Sequence, residues 1–173
     1  MGRPAIRMAI STVLILMGVA RVLAQPVMPG ETTRGESGLP LPRFVSLASG
    51  EAHMRSGPGQ QYPILWTYKR RGLPLLITAE YGNWRRVRDM DGTAGWMHSA
   101  LLSGTRMGVI TGGERLLRTR PAPDAPPIFR AEPGVLVEIL SCENGWCRVA
   151  LSGRRAYIAE DDFWGVFAGE RLE

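Results

Sequence analysis

The sequence predicts an all-β protein built from two small barrels in tandem. Two observations carry this. First, the chain repeats itself at a period of about 60 residues, which is longer than a solenoid unit and the size of a small domain. Met54-Arg55-Ser56-Gly57-Pro58 is answered by Leu117-Arg118-Thr119-Arg120-Pro121, Trp84-Arg85-Arg86-Val87 by Trp146-Cys147-Arg148-Val149, and Gly95-Trp96 by Ala156-Tyr157. Second, no segment beyond the N-terminus sustains a 3.6-residue apolar period. Short branched and aromatic runs alternate instead with Gly, Pro, Asn and Asp, the pattern of short strands joined by turns. The chain divides into a targeting segment (1–24), a linker (25–43), repeat 1 (44–104) and repeat 2 (105–169).

The opening reads as a secretory signal peptide. Arg3 and Arg7 precede an apolar run from Met8 to Ala20, broken only by Ser11 and Thr12, and Val22-Leu23-Ala24 offers a cleavage site after Ala24. The run is short for a bilayer and Arg21 closes it, so no stable membrane span is expected after processing. The protein is expected in the periplasm or secreted. Cleavage removes three arginines and takes the net charge from +5 to +2 (5 − 3). Repeat 1 has seven Lys/Arg against four Asp/Glu, and repeat 2 has eight of each. Only Lys69-Arg70-Arg71 and Arg85-Arg86-Arg88 form basic runs. They are read as solvated loop charge, and no nucleic-acid partner is expected.

Gln25–Arg43 has no apolar period and is rich in Pro, Gly, Thr and Glu. It is read as a flexible linker, disordered to about residue 37. It ends in Leu39-Pro40-Leu41-Pro42-Arg43, where the proline spacing favours a polyproline-II-like segment. That segment is expected to dock on a barrel of the same chain.

Strands are expected in repeat 1 over 44–48, 51–55, 64–69, 73–81, 84–88 and 93–98, closed by a 3₁₀ turn at 99–102. Ser56-Gly57-Pro58-Gly59, Arg71-Gly72, Gly82-Asn83 and Asp89-Met90-Asp91-Gly92 supply the turns. In repeat 2, strands are expected over 107–110, 115–118, 128–130, 135–142, 146–151 and 155–158. Asp161-Asp162-Phe163-Trp164 is the closing turn. Cys142 and Cys147 flank Glu143-Asn144-Gly145-Trp146, which places the sulfurs across a hairpin neck. In an exported chain a disulfide is the default. Its loop is short, so the stabilisation expected is about 2 kcal/mol or less. A zinc site would need two more ligands, and His53 and His98 both lie in the other repeat. No metal and no cofactor is expected.

These residues resemble a known family. Arg55-Ser56-Gly57-Pro58, Gly72, Asn83-Trp84 and Gly92-Thr93-Ala94-Gly95-Trp96 are similar to the signature of bacterial SH3-like domains. Repeat 2 matches more loosely, through Leu117-Arg118-Thr119-Arg120-Pro121, Gly134, Gly145-Trp146-Cys147-Arg148-Val149 and Ala156-Tyr157-Ile158. The lead-in from Leu39 to Leu47 is similar to that of tandem SH3-like proteins exported by proteobacteria. The resemblance implies two SH3-like β-barrels. It also implies binding of wall components or peptides, since such domains often accompany cell-wall hydrolases. Fold alone does not fix function.

Trp84, Trp96, Trp146 and Tyr157 recur at matched positions, so they are read as core aromatics of the shared fold. Tyr62, Trp66 and Tyr81 have no aromatic counterpart in this reading and are expected to form a peptide or glycan groove. Arg55 recurs as Arg118 beside a turn. It is read either as a carboxylate clamp for a ligand or as a guanidinium that holds turn carbonyls. His53 and His98 stand alone, and Asp89/Asp91 and Asp161/Asp162 are turn residues short of a calcium loop. No catalytic residue is expected. The function expected is a non-enzymatic exported binding module for peptides, peptidoglycan or an envelope protein. The alternative is an accessory subunit that uses the inter-barrel surface as its interface.

Overall fold

Turn-forming residues cut the chain into short strands, and the computed structural model, which describes residues 33–173, places them close to the positions the turns dictate. The signal peptide expected over 1–24, its cleavage after Ala24 and the start of the linker lie outside the described residues. β1 (Thr33–Arg34) and β2 (Pro40–Leu41) pair as an antiparallel ribbon. Barrel 1 comprises β3 (Arg43–Leu47), β4 (Ala52–Arg55), β5 (Ile64–Tyr68), β6 (Pro74–Tyr81), β7 (Trp84–Arg88), β8 (Ala94–His98) and β9 (Leu102–Ser103), with a 3₁₀ turn at Ser99–Leu101. Barrel 2 comprises β10 (Met107–Ile110), β11 (Arg115–Arg118), β12 (Pro127–Ala131), β13 (Leu136–Glu143), β14 (Trp146–Leu151), β15 (Arg154–Ala159) and β16 (Phe163–Trp164), with a 3₁₀ turn at Glu160–Asp162. Among the described residues no helix is long and apolar enough to cross a membrane.

Each barrel is one seven-stranded sheet, and the two share an order. β5-β4-β8-β7-β6-β3-β9 in the first is matched strand for strand by β12-β11-β15-β14-β13-β10-β16 in the second. Even the irregularities recur, between Ile77 and Ala79 and between Ile139 and Ser141 on the long strands. Such bulges bend a strand and let a short sheet curl on itself. Alternation then selects the core. Val45, Leu47, Met54, Leu75, Ile77, Val87 and Met97 fill barrel 1. Ile110, Leu117, Val137, Ile139, Val149 and Ile158 fill barrel 2, together with both cysteines.

The repeated aromatics are not in these cores, which corrects the expectation. Trp84, Trp96, Trp146 and Tyr157 are half-buried. On β7, Val87 points inward, so Trp84 and Arg86 belong to the other face. The register lines up Arg55, Trp96, Arg86 and Ala79 across that face, and Arg118, Tyr157, Arg148 and Ser141 in barrel 2. Trp84 meets the His98 ring edge-on at 5.5 Å.

Close packing behind this face restricts Gly95. A Cβ there would sit 2.6 Å from Met54 Cγ and 2.7 Å from the Arg55 carbonyl oxygen. Ala156 fills the equivalent place in barrel 2, opposite Val149 as Gly95 is opposite Val87. Gly95→Ala is therefore expected to cost about 1–3 kcal/mol through overpacking, measured by denaturant unfolding. An unchanged midpoint would contradict the tight contact.

The linker is ordered sooner than its composition suggests. From Thr33 the chain folds back on itself, with Gly35 N–H donating to the Leu39 carbonyl (2.9 Å) and Gly38 N–H to the Gly35 carbonyl (2.9 Å). Leu41 enters the core of barrel 1. The expected polyproline-II run is β-paired at Pro40–Leu41 and docks on the barrel of its own chain. The reason lies in the long strands. β6 pairs with β3 only as far as Ile77, and β13 with β10 only as far as Glu138. Each leaves a stretch of open edge, which folded chains cover. In barrel 1 the ribbon covers it, with Ser37 bonded to Glu80 and Gly82 N–H donating to Glu36 Oε2 (2.7 Å). In barrel 2 the C-terminal tail does so, with Leu172 and Cys142 exchanging backbone hydrogen bonds of 3.1 and 3.0 Å.

Phe44 joins the barrels. It lies on the outer face of β3, yet it is buried. Its ring meets Trp164 edge-on at 5.0 Å and Phe167 at 4.8 Å. The Arg106 guanidinium lies 5.6 Å from its centre. Ser46 Oγ donates to the Thr105 carbonyl (2.9 Å) and Arg70 Nη1 to the Gly134 carbonyl (2.8 Å) across the same junction.

Candidate binding surfaces

Cys142 and Cys147 face each other in the β13–β14 register and form a disulfide. The turn between them uses Asn144 and Gly145, both at positive φ (52° and 79°), as a two-residue hairpin of matching twist requires. The equivalent pair in barrel 1 is Glu80 and Arg85. Where one barrel has a covalent staple, the other has a buried carboxylate. Glu80 Oε1 lies 2.6 Å from Arg43 Nη2 and 3.2 Å from Arg85 Nε. Ser37 donates to it from its backbone N–H (2.7 Å) and its hydroxyl (2.8 Å). Burial alone would raise the Glu80 pKa. The Ser37 and Arg43 hydrogen bonds and the Arg85 charge outweigh burial and hold it at about 2.

Of the four sequence-predicted ligand residues, Arg55 and Tyr62 are brought together. Arg55 Nη1 donates to the carbonyls of Gln60 (3.0 Å) and Tyr62 (2.8 Å). Arg118 Nη1 donates likewise to the Ala125 carbonyl (2.6 Å), so both guanidiniums hold the same turn. The Tyr62 ring packs over Gly57. Tyr81 ends β6 opposite Trp84 and is exposed. Tyr81 lies at the opposite end of β6 from Pro74, which borders Trp66. His53 Nδ1 pairs with Thr67 Oγ1 (3.0 Å), and His98 Nδ1 accepts from Ala100 N–H (3.2 Å).

Trp66 lines a groove of about 240 Å³ together with Tyr68, Leu73, Pro74, Asp89, Met90 and Asp91, and Val109 of the second barrel borders it. Beside it Ile64 and Leu65 continue the exposed apolar run of β5. The run sits on an edge strand, whose other side has no β partner among the described residues. A second, larger groove of about 620 Å³ runs along the junction of the barrels, bounded by Leu39, Pro42, Phe44, Arg106, Phe167 and Glu170. Here Arg106 grips Glu170 through both carboxylate oxygens (2.8 and 3.0 Å). Sequence reading singled out Trp66 but missed Met90 and Asp91, whose part depends on how the turn folds against β5.

Similar solved structures include an NlpC/P60 family protein from Bacillus cereus ATCC 10987 (13% identity, TM-score 0.33), covering 69% of this chain and 55% of that one. NlpC2 from Trichomonas vaginalis shows 16% identity and a TM-score of 0.33, over 70% of this chain and 47% of that one. NlpC1 from the same organism shows 15% identity and a TM-score of 0.34, over 81% and 51%. The chain thus spans about half the length of these proteins. No curated protein matches it. The bacterial SH3 domain family matches twice, over residues 48–104 and 112–165, the two segments that fold as barrels with one strand order. With more than half its length matched, the chain belongs to the bacterial SH3 domain family, a family of binding modules.

Proposed function

We propose that this chain is a non-enzymatic, exported binding module that takes an extended peptide segment, of an envelope protein or of the cell wall, on barrel 1. One observation carries the reading: Ile64 (47%), Leu65 (52%) and Trp66 (57%) are exposed along the edge strand β5, with Met90 (43%) beside them. Large apolar side chains on an open strand edge are a liability unless a partner covers them, and such edges bind peptides by strand addition. The disulfide agrees with an oxidising compartment outside the cytoplasm. The groove at the junction of the barrels favours the accessory-subunit reading instead, with Leu39 exposed at its rim.

Photo-crosslinking in the cell envelope separates the two. A reactive residue at position 65 of the full chain is expected to capture an envelope protein or a wall peptide. Adducts at position 39 alone would support the accessory subunit and overturn the β5 reading.

A further inference from the structure

β5 and β12 occupy the same place in their barrels. Trp66 stands opposite Met54, and Phe129 stands opposite Leu117 in the same register. Trp66 therefore does have an aromatic counterpart, which corrects the sequence reading. What differs is the cover. In barrel 2 the Arg154 guanidinium lies 5.1 Å from the centre of the Phe129 ring, within cation–π range. Arg154 opens β15 directly after a two-residue turn, Ser152-Gly153. In barrel 1 the equivalent turn is longer and brings Asp89, Met90 and Asp91 to the groove instead. Among the described residues no cation–π contact reaches Trp66.

The groove is acidic within a barrel that carries more basic than acidic residues. Asp89 is committed locally: its Oδ2 accepts from the Tyr68 hydroxyl (2.7 Å), and its Oδ1 accepts from the N–H groups of Asp91 (3.1 Å) and Thr93 (2.8 Å). Among the described residues neither Asp89 nor Asp91 forms an ion pair. Burial, the Asp89 hydrogen bond and both carboxylate charges push the Tyr68 phenol above its ordinary range. The volume, about 240 Å³, is below the ~300–1,000 Å³ of small-molecule sites and suits a single side chain. The strand edges differ in the same sense. β12 opens on Pro127, which has no N–H to donate, and carries Arg130. β5 has neither proline nor charge, so of these two strands it is β5 that is unguarded against an added strand.

We propose that the Trp66 groove receives an arginine side chain from a partner segment added along β5, its guanidinium stacked on the indole and paired with Asp91. Barrel 2 provides the internal precedent in Arg154 over Phe129. The proposal rests on the peptide-binding reading above and names the side chain recognised. It is tested with the full exported chain and a fluorescent peptide of alternating valine and threonine with one central arginine, read by anisotropy. A second peptide carries citrulline, which keeps the shape and removes the charge. The arginine peptide is expected to bind about tenfold more tightly than the citrulline peptide, and the gap should narrow in high salt. Trp66→Ala should weaken the arginine peptide by about tenfold, and Asp91→Asn should narrow the gap between the two peptides. Trp66 is exposed and Asp91 lies in a turn, so thermal midpoints should not move. Equal binding of the two peptides overturns the arginine site while leaving peptide binding intact. Binding of neither peptide, with crosslinking at position 65 retained, also overturns it.

Discussion

Glu80→Ala is expected to cost about 3–5 kcal/mol, the penalty for breaking a buried ion pair by removing one partner. The Glu80 side chain is only 1% exposed, and it is shared by Arg43, Arg85 and Ser37. Its loss leaves two largely buried guanidiniums without their carboxylate and frees the β1–β2 ribbon. Leu41, which sits in the core of barrel 1, should then become protease-accessible along with residues 33–41. Denaturant unfolding and limited proteolysis measure both effects. A loss under about 1 kcal/mol, the scale of an exposed pair, with an unchanged digest would refute this role. The same group predicts an acid transition. Its folded pKa, about 2, lies below the 4.5 usual for the unfolded chain. The stabilisation is therefore complete above pH 4.5 and is lost as the pH falls toward 2, to the extent of about 3 kcal/mol. In Glu80→Gln that part of the pH dependence should vanish.

Phe44→Ala should cost a similar amount, about 3–5 kcal/mol for a buried phenylalanine, but should act on the junction rather than on a core. Phe44 touches Trp164 and Phe167 of the second barrel and lies under Arg106. Truncation leaves a void that the two barrels can close only by shifting against each other. Calorimetry should resolve one transition in the parent chain and two in Phe44→Ala, since the barrels of the variant unfold as separate cooperative units. A single transition at the parent midpoint would show that the barrels are coupled elsewhere, through Arg70 and Gly134 or Ser46 and Thr105.

Much of this architecture is legible in the sequence. Strand positions follow from Asn144-Gly145, Arg71-Gly72 and Gly82-Asn83, because turn chemistry is local. The disulfide follows from the same hairpin, since a two-residue turn brings Cys142 opposite Cys147. The candidate site was less legible. Trp66 stands out in the sequence because it is aromatic, but so do Tyr62, whose ring packs over Gly57, and Tyr81, which ends β6 opposite Trp84. Residues 33–41 are ordered although their composition lacks an apolar period, because Leu41 sits in the barrel core and Ser37 bonds to the distant Glu80 carboxylate.

The sequence by itself determined the duplication, the positions of the strands along each copy and the place of the staple, because turns and hairpins depend on neighbours a few residues apart. Only the tertiary structure decided which face the repeated aromatics occupy, which segment closes each open edge, and that Phe129 is covered by Arg154 while Trp66 lines an open groove. Those outcomes depend on where curled sheets bring residues tens of positions apart, and small differences in turn length redirect them. The longer Asp89–Thr93 turn replaces an arginine with two carboxylates, and with that change one of two nearly identical barrels gains an open acidic groove.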